Sequence, residues 1–95
     1  MTTITVLENR ALLALVDLMY AERGFSDVDA EDLADRSDLP INILRGVMGS
    51  LSKKQLIDVD EEMGNIIYLT EYTEGMVDDW LIEGAPTPVE FEVIV

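Results

Sequence analysis

Carboxylates dominate the reactive side chains of this sequence, twenty in ninety-five residues. Two clusters, Asp58-Val59-Asp60-Glu61-Glu62 and Asp78-Asp79, are dense enough to suggest paired-acid chemistry or a Ca²⁺ site. The first lacks the central glycine and the set spacing of oxygen ligands that a calcium loop needs. Both read more simply as solvated faces. The chain has no histidine and no cysteine. That removes the usual general base, the commonest metal ligand, any thiol nucleophile and any disulfide. No Ser, Lys or Tyr stands in a nucleophile motif, and no glycine-rich phosphate loop follows a strand. The expectation is a non-enzymatic protein with no catalytic residues, no cofactor and no metal.

Six basic residues leave a net charge of -14, well beyond the magnitude of roughly 2–8 suited to a small domain. Such a charge repels phosphate backbones and anionic lipid and favours a basic protein as partner. It is equally an adaptation to high salt, where self-repulsion is screened within a few ångströms. Composition leaves both readings open. The distribution says more than the total. Residues 25–38 carry Arg36 among six acids, and residues 58–95 carry eleven acids and no base. Between them, residues 39–57 carry Arg45, Lys53 and Lys54 and no acid. This basic island either relieves repulsion among its acidic neighbours or is itself a contact surface. Asp58, Asp60, Glu61, Glu62, Asp78 and Asp79 are the candidate residues for meeting a basic protein.

The elements that must position these side chains follow from periodicity and punctuation. Thr5 and Glu8 form a capping-box pattern, and apolar residues from Leu7 to Met19 predict a helix over about 6–23, ended by Gly24. Its apolar arc, widened by Leu12, Leu13 and Val16, places it either at the centre of the core or against another chain. Phe25 and Val28 flank a minimal strand. Asp29 caps a helix ending near Ser37, and Ser37 or Asp38 caps the next, with Pro40 in its first turn. That helix carries Ile43, Leu44, Val47, Met48 and Leu51 at helical spacing. Gly46 and Gly49 inside it imply that a neighbouring helix, or a ligand backbone, comes close to that face. Strands at 56–59 and 66–69 flank a hairpin connection containing Gly64 and Asn65. Thr70 caps a last helix through Trp80 and Ile82, closed by Gly84. Pro86 and Pro88 then stiffen the link to an apolar strand over 89–95.

From about Ala30 to Gly75 the order helix, turn, helix, hairpin, helix resembles the winged helix-turn-helix superfamily, especially MarR-like transcriptional regulators. The resemblance runs through Ala30–Leu39, Leu44–Leu51, Lys53-Lys54-Gln55-Leu56-Ile57 and Tyr68-Leu69-Thr70-Glu71, about half of the chain. It implies that the second helix enters the major groove and the wing lies near the DNA backbone. Carried over, Ile41, Asn42, Arg45 and Gly49 are the outward positions of that helix. Asn42 and Arg45 have the donors and acceptors to read base edges, and Lys53 and Lys54 lie close to phosphates. Two features depart from the pattern: the turn reads Ser37-Asp38 where the family has glycine, and the wing is acidic rather than basic.

The fold expected is therefore mainly α with a small β-hairpin, a winged helix-turn-helix with an extra C-terminal strand. Residues 1–95 form one domain, with its core over 5–84 and the strand segment over 89–95. The terminal strand either adds to a sheet in its own chain or pairs with another molecule. Leu12, Val16, Trp80, Phe91, Val93 and Val95 are the candidate residues for a homodimer. With no leader-like N-terminus and no apolar run long enough for a bilayer, a cytoplasmic protein is expected. Its charge favours regulation through protein–protein interaction. The alternatives are DNA binding by the 40–54 helix, and mimicry of DNA toward a basic nucleic-acid-binding protein.

Overall fold

Thr5 turns the chain from strand into helix. Its hydroxyl accepts the Glu8 N–H at 3.1 Å, and the Glu8 carboxylate accepts the Thr5 N–H at 2.7 Å. This is the reciprocal capping box that the sequence pattern predicts. The computed structural model describes residues 2–22, 28–60, 66–77 and 91–94. Strand β1 (Thr2–Thr5) leads into helix α1 (Val6–Val16), which continues as a π-helical turn over Asp17–Glu22. Helix α2 (Ala30–Ser37), helix α3 (Ile41–Lys53), strand β2 (Ile57–Asp60), strand β3 (Ile66–Leu69), the short helix α4 (Glu71–Glu74) and strand β4 (Phe91–Ile94) follow. The arrangement is mainly helical and winged-helix-like, with the β2–β3 hairpin as the wing.

Helix α1 is the hub. Ala11, Leu12, Leu15 and Val16 are buried in a core with Leu33 of α2, Leu44 and Leu51 of α3, Leu56, and Ile67 of β3. The broad apolar arc of α1 thus has helices and a strand of its own chain on several sides. Leu12 and Val16, candidates for a dimer contact, are fully enclosed here and offer a second copy no surface. The first helix also differs from the single helix over 6–23: α-geometry stops at Val16 and wider winding takes over. Within that winding the Tyr20 hydroxyl donates to Glu74 at 2.7 Å, tying it to α4. Burial, then the hydrogen bond and charge of Glu74, push the Tyr20 hydroxyl up to about 12.

The turn between α2 and α3 is built differently from its expected caps. Asp29 caps α2 in a second reciprocal box with Asp32. At the far end, Asp38 takes the left-handed conformation, with φ of 58°. This is the position where glycine ends many helices. The Ser37 hydroxyl turns back to donate to the Leu33 carbonyl at 2.6 Å, so it caps nothing ahead of it. Pro40 is the residue preceding α3, and no side chain caps that helix.

Helix α3 closes in a Schellman motif. Gln55 takes a φ of 62°, its N–H donates to the Ser52 carbonyl, and the Leu56 N–H donates to the Leu51 carbonyl. Leu51 and Leu56 supply the buried apolar pair that accompanies such an end. Thr70 and Thr73 then hold the turn from the other side: both hydroxyls donate to the Leu56 carbonyl, and Thr70 also to that of Gln55.

In the wing, β2 and β3 pair antiparallel from Ile57 with Leu69 to Asp60 with Ile66. The Ile67 N–H also bonds the Val28 carbonyl at 2.8 Å, so Val28 attaches to the wing through its backbone. The terminal strand docks within its own chain. Strand β4 lies parallel to β1, from Thr2 with Phe91 to Thr5 with Ile94. The expected strand flanked by Phe25, the hairpin connection at Glu61–Asn65, and the helix and link through Trp80, Gly84, Pro86 and Pro88 lie outside the described residues, as do Gly24 and Val95.

Candidate nucleic-acid interface

Helix α3 buries Leu44, Val47 and Leu51 against the core, and that choice fixes which residues face out. Asn42, Arg45, Gly46, Gly49 and Lys53 recur three or four apart on the opposite side and are all exposed. Ile43 stands with them, 47% exposed, an apolar side chain on an otherwise polar face. Ile41 does not belong to this face: it is partly buried against the core, so the outward set runs through Ile43 in its place.

Close packing by a neighbouring helix, one of the two expected causes, does not explain the two glycines. A Cβ built on Gly46 or on Gly49 meets nothing within 4 Å. No helix of the described structure approaches them, and the face they lie on is open.

Electrostatics separates the cations sharply. Arg10 donates to the carbonyls of Ser37 and Asp38 at 2.7 and 3.0 Å, bracing the turn before α3. Arg36 reaches Asp17 at 3.5 Å. Lys54 is held 2.7 Å from Glu8 and 2.8 Å from the Thr3 carbonyl, and so points into the body of the protein rather than toward a phosphate. That removes Lys54 from the outward set. Among the described residues, no hydrogen bond or ion pair engages Arg45 or Lys53. Both free cations thus lie on the outward side of one helix, in the acid-free stretch of the chain.

Glu8 is the buried charge that sequence reading assigned only to a helix cap. It is 1% exposed. Burial alone would raise its carboxyl. The bonds from Lys54, from the Thr5 N–H and from Ser50, with the Lys54 charge, outweigh that and hold it below the usual carboxylate range.

The acidic candidates divide. Asp58 accepts its neighbour's N–H and the Tyr68 hydroxyl at 3.3 Å, so its carboxylate is engaged within the wing. Asp60 lies beside it on β2. Glu61, Glu62, Asp78 and Asp79 lie outside the described residues. An open groove of about 620 Å³ runs between α2 and the start of α3, lined by Ala34, Leu39, Pro40 and Ile41 and rimmed by Glu31, Asp35 and Asp38. Among the dimer candidates, Phe91 is buried, Val93 is exposed on β4, and Trp80 lies outside the described residues. Among the described residues, no three metal-ligating side chains gather, and no helix is long and apolar enough to cross a membrane.

One solved structure is similar. It is a "putative DNA-binding protein" from Ralstonia eutropha JMP134, 26% identical, with a TM-score of 0.64 over 80% of this chain and 95% of that one. No family model and no curated protein matches the sequence. The likeness supports a helix-turn-helix type of protein in general and does not reach the MarR-like regulators in particular.

Proposed function

We propose that this protein binds duplex DNA through the outward face of α3, as a non-enzymatic regulator of transcription. The observation that carries the reading is the pairing pattern of the cations. Arg10, Arg36 and Lys54 are engaged inside the chain, while Arg45 and Lys53 remain free on one acid-free helix face. Arg45 and Asn42, three residues apart, present the side-chain types that bond guanine and adenine edges in the major groove. Lys53 and Arg45 supply cations for phosphate. A similar fold carried by a protein described as DNA-binding adds support.

Fluorescence anisotropy with mixed-sequence and then selected duplexes, over a salt series, tests this. With the two free cations found among the described residues, log K should fall against log salt with a slope of about -2 per bound chain. Arg45→Glu should abolish binding. Absence of any binding at low salt would remove the proposal. The large negative charge keeps the affinity low, because the acidic wing and the rim of the α2–α3 groove oppose the phosphates.

A basic protein segment is the second reading. The groove favours it, since Glu31, Asp35 and Asp38 surround an apolar floor. Titration with a lysine-rich peptide separates the two, because Asp35→Lys weakens peptide binding and leaves a DNA contact on α3 intact or strengthened.

A further inference from the structure

Three elements meet at one buried carboxylate. Glu8 Oε1 accepts the Thr5 N–H and the Lys54 ammonium, both at 2.7 Å, and Oε2 accepts the Ser50 hydroxyl at 2.8 Å. Lys54 Nζ also donates to the Thr3 carbonyl. The Glu8 side chain is 2% exposed and that of Lys54 33%. Among the described residues, no buried side-chain nitrogen or oxygen is left without a partner. The C-terminal turn of α3 is thereby fastened to the start of α1 and to β1. Thr70, whose hydroxyl makes no capping bond to α4, and Thr73 within α4 hold the adjacent carbonyls.

We propose that Glu8 is a positioning residue for the α3 reading face. Acting through Lys54 and Ser50, it fixes the direction in which α3 presents Asn42, Arg45 and Lys53, and Lys54 itself does not touch DNA. This rests on the DNA-binding reading. A cation turned from Glu8 toward a phosphate would leave a buried carboxylate unpaired, which is strongly unfavourable. The clamp also acts at the end of a lever. Helix α3 is thirteen residues long, about 20 Å at the usual rise. A small rotation at Ser50 and Lys54 therefore moves Asn42 and Arg45 by an ångström or so, enough to spoil base-edge contacts.

The test compares the unmutated chain with K53Q, K54M and the double variant E8Q/K54M, each shown to be folded by circular dichroism. Glutamine at position 8 keeps the capping box, because its amide oxygen accepts the Thr5 N–H, and it leaves no charge unpaired. DNA affinity is measured over a salt series. K53Q should reduce the slope by about 0.9, one phosphate contact. K54M should lose about tenfold in affinity at an unchanged slope, and E8Q/K54M should recover to within about threefold of the unmutated chain. If K54M lowers the slope as K53Q does and the double variant fails to recover, Lys54 is a phosphate contact and the clamp is wrong. If folded K54M binds like the unmutated chain, Glu8 holds the fold together without aiming α3, and the inference also fails. An unmutated chain that shows no salt-dependent binding defeats the DNA reading itself, and the clamp with it.

Discussion

Asp38 shows how an aspartate can hold a backbone angle that usually falls to glycine. Its φ of 58° is the conformation that favours glycine, and the chain supplies an aspartate there. Its own ion pair with Arg10, at 3.7 Å and on a side chain 99% exposed, contributes little. The stronger Arg10 bond is to the backbone carbonyl and survives substitution. Asp38→Gly should therefore raise stability by about 0.5–1 kcal/mol, read as a higher midpoint in urea. Glu8 makes the opposite case. Its carboxyl is held below the ordinary value of 4.5, so it contributes stability that is present above that value and lost as pH falls through the lowered one. Acid unfolding of the unmutated chain should thus be steeper below about pH 4.5 than that of E8Q/K54M, followed by circular dichroism. Lys54→Met alone leaves the carboxylate unpaired and should cost about 3 kcal/mol, near the lower end for a buried pair because Lys54 is partly exposed.

At the scale of the element, α3 is the informative case. One side obeys the helical repeat and is buried through Leu44, Val47 and Leu51. The other holds two glycines with open space around them, each costing about 1 kcal/mol of helix stability against alanine. Gly46→Ala and Gly49→Ala should each raise the melting temperature, since the new methyl meets no atom of this chain. Under the DNA-binding reading, the double substitution should at the same time weaken duplex binding, because Cβ atoms then stand where the ligand surface approaches. A rise in stability with unaltered binding would show that nothing comes close to that face. The strands present a different lesson. Alternation marked 89–95 as a strand former, but β1 at Thr2–Thr5 has three threonines and one isoleucine. It carries too short a pattern to be told from an irregular lead-in to the helix.

Over the whole molecule, charge and packing act on different terms. A net charge of -14 opposes compaction, and added salt screens it. Raising NaCl from about 0.05 to about 1 M should therefore raise the melting temperature. Duplex affinity should fall over the same range, because each counterion released from the phosphates gains less entropy in a salty solvent. Opposite trends in one titration would separate a protein that tolerates its charge from one whose basic face is in use.

The helical class, the caps at Thr5 and Asp29, the α2–α3 pair and the wing strands were all legible in the sequence. Each is set by local spacing: apolar residues three and four apart, an acid three residues after a capping side chain, alternation in a strand. The acid-free stretch from 39 to 57 was equally plain from composition. What only tertiary structure decided was the use of each side chain. The broad arc of α1 is consumed by three neighbouring elements, so Leu12 and Val16 are core. The three cations of the basic stretch look alike in sequence, yet Lys54 turns inward to Glu8, forty-six residues away, while Arg45 and Lys53 do not. Such choices depend on contacts between segments distant in the chain, and no local pattern encodes which of two neighbouring lysines a buried carboxylate will take.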